Sequence, residues 1–137
     1  MLKLCTRQLA AVILLLQVLL VVPARAQFGP GTQWTKDGNG YMAAENGEIV
    51  QLDARDKARR TVLVSKAQLT PQGQTVPIEV RRFAFSDDGR KVLLHTNTKK
   101  VWRYDTRGDY WVADLKANTM KQLGKGRPES SLMFAKF

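Results

Sequence analysis

The chain has 137 residues, with 22 Lys or Arg against 12 Asp or Glu and a formal charge of +10. That length holds one modest domain and falls below the size at which several are expected. With one cysteine and one histidine, the chain cannot build a disulfide framework or a zinc-type ligand set.

Lys3 and Arg7 give the chain a positive start, and residues 9–22 form an apolar run broken only by Gln17. Pro23 ends the run, and Ala24-Arg25-Ala26 places small residues at the two positions a signal peptidase reads. This three-part plan predicts a secretory signal peptide over residues 1–26, a mature chain starting at Gln27, and a periplasmic or secreted protein. The run is too short and wrongly flanked for a stable membrane span, which needs roughly 20 apolar residues. Cys5 lies inside the signal, so the mature chain has no thiol. Removing Lys3, Arg7 and Arg25 with the signal leaves 19 basic against 12 acidic residues, near +7. The basic residues are scattered as pairs (Arg59-Arg60, Arg81-Arg82, Lys99-Lys100) with no concentrated stripe, which argues against a nucleic-acid partner.

Next along the chain comes a repeat. Trp34-Thr35-Lys36-Asp37-Gly38 aligns with Phe85-Ser86-Asp87-Asp88-Gly89 at an offset of 51 residues, and Phe134-Ala135-Lys136-Phe137 resembles Phe83-Ala84-Phe85 at an offset of 52. Each copy pairs an aromatic opening strand with an Asp-Gly turn, whose glycine supplies positive φ. Strands are predicted over residues 41–44, 48–52 and 61–64 in the first unit. The second unit has an opening strand through Phe83 and Phe85, then strands over 91–96, 110–115 and 120–123, with 116–119 as a turn. About four strands per unit and no amphipathic helix make an all-β chain: the first two blades of a β-propeller plus the start of a third. Residues 27–137 are therefore expected to be the N-terminal part of an incomplete propeller domain, since a typical propeller closes with about 4–8 blades and two alone leave raw strand edges.

The stretch from Thr96 to Leu115, containing Val101-Trp102-Arg103-Tyr104-Asp105-Thr106-Arg107-Gly108-Asp109-Tyr110-Trp111-Val112-Ala113-Asp114-Leu115, resembles the N-terminal propeller of dipeptidyl-peptidase IV-like serine peptidases of the prolyl oligopeptidase superfamily. Phe85-Ser86-Asp87-Asp88-Gly89 and Val92-Leu93-Leu94 stand where that family carries its blade-opening strand and turn. The resemblance implies a propeller over an α/β-hydrolase domain that removes dipeptides from peptide N-termini. It also implies that Arg103, the arginine after the tryptophan, points into the central cavity and hydrogen-bonds a substrate carbonyl. A planar, permanently charged guanidinium suits that role because it orients a carbonyl without titrating. Trp102 is expected to pack and anchor its loop. The partner implied is a peptide N-terminus; a homodimer of the longer protein is compatible, and no cofactor or metal is called for.

Other residues carry less. Glu45 and Glu48 flank the Asn46-Gly47 turn, fall outside the family's paired-glutamate motif, and read as exposed turn charges. No Gly-x-Ser-x-Gly elbow exists, so Ser130 and Ser131 are not nucleophiles and no catalytic residue is assigned. His95 reads as a structural strand histidine. Arg107-Gly108-Asp109 spells an adhesion tripeptide but reads as an ordinary turn, and Gly124-Lys125-Gly126 lacks the spacing of a phosphate loop. The second reading is a noncatalytic periplasmic propeller resembling the TolB family and serving as a protein-binding platform. A third is a small β-protein that dimerises to cover its edges.

Overall fold

The structure, a computed structural model, describes residues 31–137. The expected signal peptide and its cleavage site lie outside the described residues.

Two antiparallel sheets follow one another along the chain. The first contains β1 (Gln33–Trp34), β2 (Gly40–Glu45), β3 (Glu48–Asp53) and β4 (Arg60–Val64), in sequential order. The second contains β5 (Arg82–Phe85), β6 (Lys91–Val101), β7 (Tyr104–Asp114) and β8 (Thr119–Gln122), with β9 (Leu132–Met133) paired to β7. There is no helix among the described residues. The β2–β3 hairpin closes on Asn46 and Gly47, both at positive φ, as a two-residue turn that follows the strands' own twist requires. At the β7–β8 turn the Asp114 carboxylate accepts the amides of Lys116 and Ala117 at 3.1 and 2.8 Å.

The repeat is structural as well as sequential. Thr35 Oγ1 donates to Asp37 at 2.5 Å and accepts the Gly40 amide at 3.0 Å. Fifty-one residues on, Ser86 Oγ donates to Asp88 at 2.6 Å and accepts the Lys91 amide at 2.9 Å. Gly38 and Gly89 close these turns at φ of 69° and 67°. Both aspartates are held below the usual carboxylate range, chiefly by that hydroxyl hydrogen bond. Each sheet is thus one blade-like unit, opened by the same hydroxyl–Asp–Gly device.

The core lies between the sheets. Ile49 and Val64 from the first sheet and Leu69 from the connection meet Phe83, Val92, Leu94 and Ala113 from the second. In β6 five consecutive residues, Val92 to Thr96, are buried. Alternate residues of a strand face opposite sides, so an unbroken buried run means that β6 is covered on both faces. Leu94 packs on the first sheet, while Leu93 and His95 face the other way, toward residues 134–136 across a cavity of about 200 Å³.

One local expectation is revised. Residues 134–137 form no opening strand; the pairing falls earlier, at Leu132–Met133, and extends β7 by the pairs Arg107–Met133 and Gly108–Leu132. A strand needs a partner along its edge to satisfy its amides, and among the described residues none flanks 134–137.

Candidate functional site

The feature that departs most from a plain blade is the β6–β7 hairpin. Both strands run 11 residues, and their ladder continues from Lys91–Asp114 out to Val101–Tyr104. Strands were expected only over residues 91–96 and 110–115. Beyond that base, Thr98, Val101, Tyr104 and Thr106 are strand formers interleaved with charges, a pattern that signals the extension. About six residues separate the Thr96–Asp109 pair from the tip, which at roughly 3.3 Å per residue carries the tip about 20 Å outward. Register shifts between Thr96 and Lys99 and between Lys99 and Lys100 bend and twist the hairpin on the way.

The tip is the two-residue turn Trp102-Arg103. Trp102 adopts φ of 60° and is 94% exposed, which corrects the expectation that it packs and anchors a loop. A left-handed φ suits glycine at this turn position; a residue with a Cβ pays about 1–2 kcal/mol for it. Arg103 is exposed and, among the described residues, its guanidinium has no hydrogen-bond or ion-pair partner. Tyr104 is exposed, and so are Lys99 and Lys100 just behind it. The tip therefore offers uncommitted guanidinium and ammonium donors beside two aromatic faces, a surface suited to carbonyl or carboxylate oxygens. Among the described residues no group of three or more His, Cys, Asp or Glu could hold a metal ion.

The rest of the hairpin is tied down. Arg81, in the segment leading into β5, places Nη2 3.0 Å from Asp105 Oδ2, and its backbone amide donates to the His95 carbonyl at 2.8 Å. On the other side Asp109 accepts the Ser130 amide and the Asn97 side-chain amide, both at 2.8 Å. Ser130, 2% exposed and at φ of 54°, donates its hydroxyl to the Asn97 carbonyl at 2.5 Å. These two bonds tie the segment before β9 to both strands of the hairpin.

Arg107-Gly108-Asp109 is not a turn: it runs through β7. Gly108 is needed there for space, because a Cβ would lie 2.7 Å from the Thr96 carbonyl oxygen and 2.6 Å from His95 Cδ2. The imidazole lies over that opening, stacked on Tyr110 with ring centroids 4.4 Å apart, and its Nε2 is buried with no partner. Burial lowers its pKa from the ordinary value, opposed mainly by the Arg107 backbone. Glu45 and Glu48 flank the β2–β3 turn but are half-buried rather than fully exposed, and they hold Arg60 at 3.4 and 2.6 Å.

Sequence comparison agrees with this architecture. Residues 86–137 match the family described as the dipeptidyl peptidase IV N-terminal region. A probable dipeptidyl-aminopeptidase B of Aspergillus oryzae is 31% identical over 100 residues, covering 72% of this chain and 11% of the relative. Dipeptidyl aminopeptidase B of Saccharomyces cerevisiae is 26% identical over 84 residues, covering 61% of this chain and 10% of the relative. The chain thus spans about a tenth of the length of these curated relatives. In fold it is similar to the crystal structure of Porphyromonas gingivalis dipeptidyl peptidase 4, with a TM-score of 0.59 at 23% identity over 80% of this chain and 15% of the other. The repeated blade-like sheets, one of four strands and one of five, and these matches together make the chain a dipeptidyl peptidase IV-like N-terminal β-propeller segment.

Proposed function

We propose that this segment is the substrate-positioning part of an exported serine exopeptidase that releases dipeptides from peptide N-termini. In this reading Arg103 donates hydrogen bonds to a substrate carbonyl. The nucleophile, its base and its acid come from a hydrolase domain of the longer protein, and the segment itself contributes no catalytic residue. The observation that carries the reading is the exposed guanidinium without a partner among the described residues, at the end of a hairpin far longer than blade packing requires. A surface arginine serving solubility alone needs no such platform. Export rests on the tripartite segment over residues 1–26, and N-terminal sequencing of the mature protein is expected to start at Gln27.

The test is Arg103→Ala in the full-length protein, assayed with a glycyl-prolyl chromogenic amide. Loss of a charged hydrogen bond worth about 1.5–3 kcal/mol lowers kcat/KM roughly ten- to a hundredfold. Arg103→Lys is expected to recover only part of this, because an ammonium lacks the planar fork. Unchanged kcat/KM in Arg103→Ala removes the residue from the site.

A further inference from the structure

We infer that Arg81 and Asp109 are positioning residues that aim the Trp102-Arg103 tip, Arg81 from the segment before β5 and Asp109, within β7, through its clip to Ser130 in the segment after β8. The inference rests on the reading of Arg103 above and extends it to how the tip is held.

A two-stranded ribbon that projects beyond its sheet is marginal by itself, and the bulges at residues 96–100 leave its direction weakly determined by the ladder. An arginine carried at the end of such a ribbon can meet a substrate carbonyl with fixed geometry only if the ribbon is braced. Braces grip it from both directions. Before the second sheet, Arg81 reaches the outer half of the hairpin at Asp105, and its backbone anchors to His95 at the base. Between β8 and β9, Ser130 clips both strands at once: its amide goes to Asp109 on β7 and its hydroxyl to the Asn97 carbonyl in β6, at the bulge itself. Asn97 closes the triangle by donating to the second oxygen of Asp109.

The clip is specific to a carboxylate, since both Asp109 oxygens accept from donors; an amide would turn an NH2 group toward one of them. Ser130 and Asn97 both hold left-handed backbone to make it, at φ of 54° and 43°. Strain of this kind persists where the surroundings over-determine it. β9 follows directly and pairs with Arg107 and Gly108, continuing the grip along the outer edge of β7. Asp105 and Asp109 thus serve the ribbon's direction, and the tip's cations are left for a ligand.

The experiment uses the full-length protein with Asp109→Asn and Arg81→Met, each alone and combined with Arg103→Ala. With a glycyl-prolyl chromogenic amide, each brace variant is expected to lower kcat/KM about tenfold, within the hundredfold that a misplacement of about 1 Å can bring. In the Arg103→Ala background neither is expected to add a further loss, because the group they aim is gone. Hydrogen exchange of peptides covering residues 97–109 is expected to speed up in both variants, while the strands of the first sheet stay unchanged. Equal losses with and without Arg103 would overturn positioning and leave only a structural role. Unchanged exchange over residues 97–109 would overturn the braces themselves. If Arg103→Ala alone has no effect, the carbonyl reading fails and aiming fails with it, while exchange still reports whether the ribbon is braced.

Discussion

Replacing Gly108 with alanine inserts a methyl group between β6 and β7, against the His95 ring and the Thr96 carbonyl. Its Cβ would sit 2.7 Å from the Thr96 carbonyl oxygen and 2.6 Å from His95 Cδ2. Ordinary contact begins near 3.4 Å, so each atom must yield by most of an ångström. The imidazole can rotate only by leaving its stack on Tyr110. The carbonyl belongs to a residue in register with Asp109, so moving it stretches the ladder. Overpacking costs about 1–3 kcal/mol, and a weakened ladder bond adds about 1 kcal/mol. Against this, the lower chain entropy of unfolded alanine returns at most about 1 kcal/mol. The net is a destabilisation of about 1–3 kcal/mol. In urea, with a slope of about 1–3 kcal/mol per molar, this lowers the midpoint by roughly 0.3–3 M, read by tryptophan fluorescence of the full-length protein. Adding His95→Ala removes the ring contact but not the carbonyl contact, so it is expected to restore only part of the loss. A Gly108→Ala midpoint equal to the parent's would refute the reasoning.

Three further outcomes follow from the same geometry. His95 has its folded pKa lowered by burial, so below its ordinary value near 6.5 the unfolded chain takes up a proton that the folded chain refuses. Stability is then highest above about pH 6.5, falls as pH drops below it, and levels off below the folded pKa. His95→Phe should flatten that part of a stability-versus-pH curve, and an unchanged slope would exclude His95 as its source. Trp102→Gly relieves the positive φ at the hairpin tip and loses almost no packing, because the indole is 94% exposed. It should raise stability by about 1 kcal/mol, visible as a higher urea midpoint; a lower midpoint would mean that the indole packs after all. Asp37 and Asp88 have carboxyls held below the ordinary value of 3.8. Their stabilising effect is present above that value and lost as pH falls through the folded pKa, so Asp37→Asn with Asp88→Asn should blunt the acid side of the melting curve.

The glycine and histidine of β7 and β6 illustrate what local pattern conceals. Gly108-Asp109 before an aromatic strand has the composition of a turn, and residue type alone cannot separate a glycine chosen for φ from one chosen for space. The distinction comes from what lies opposite, here the Thr96 carbonyl and the His95 ring. Trp102 is similar. An aromatic beside an arginine reads as an anchor until the register of β6 against β7 puts it at the very end of the ribbon, with nothing to pack on.

Much was nonetheless legible from the residues alone. Asp-Gly turns at a spacing of 51, aromatic strands before them and β-branched runs after them are local signals, set by φ preferences and strand propensity within a few residues, and they determined the all-β class and the repeat; Arg103 was singled out only by the family resemblance of the stretch around it. The grip on the hairpin was not legible. Asp109 and Ser130 are separated by 21 residues and Arg81 and Asp105 by 24, and partners that far apart are chosen by how two sheets and their connections pack. Which carboxylates are tied and which cations stay free was therefore decided only by the tertiary structure, because hydrogen bonding between distant segments depends on distance in space and leaves no periodic trace along the chain.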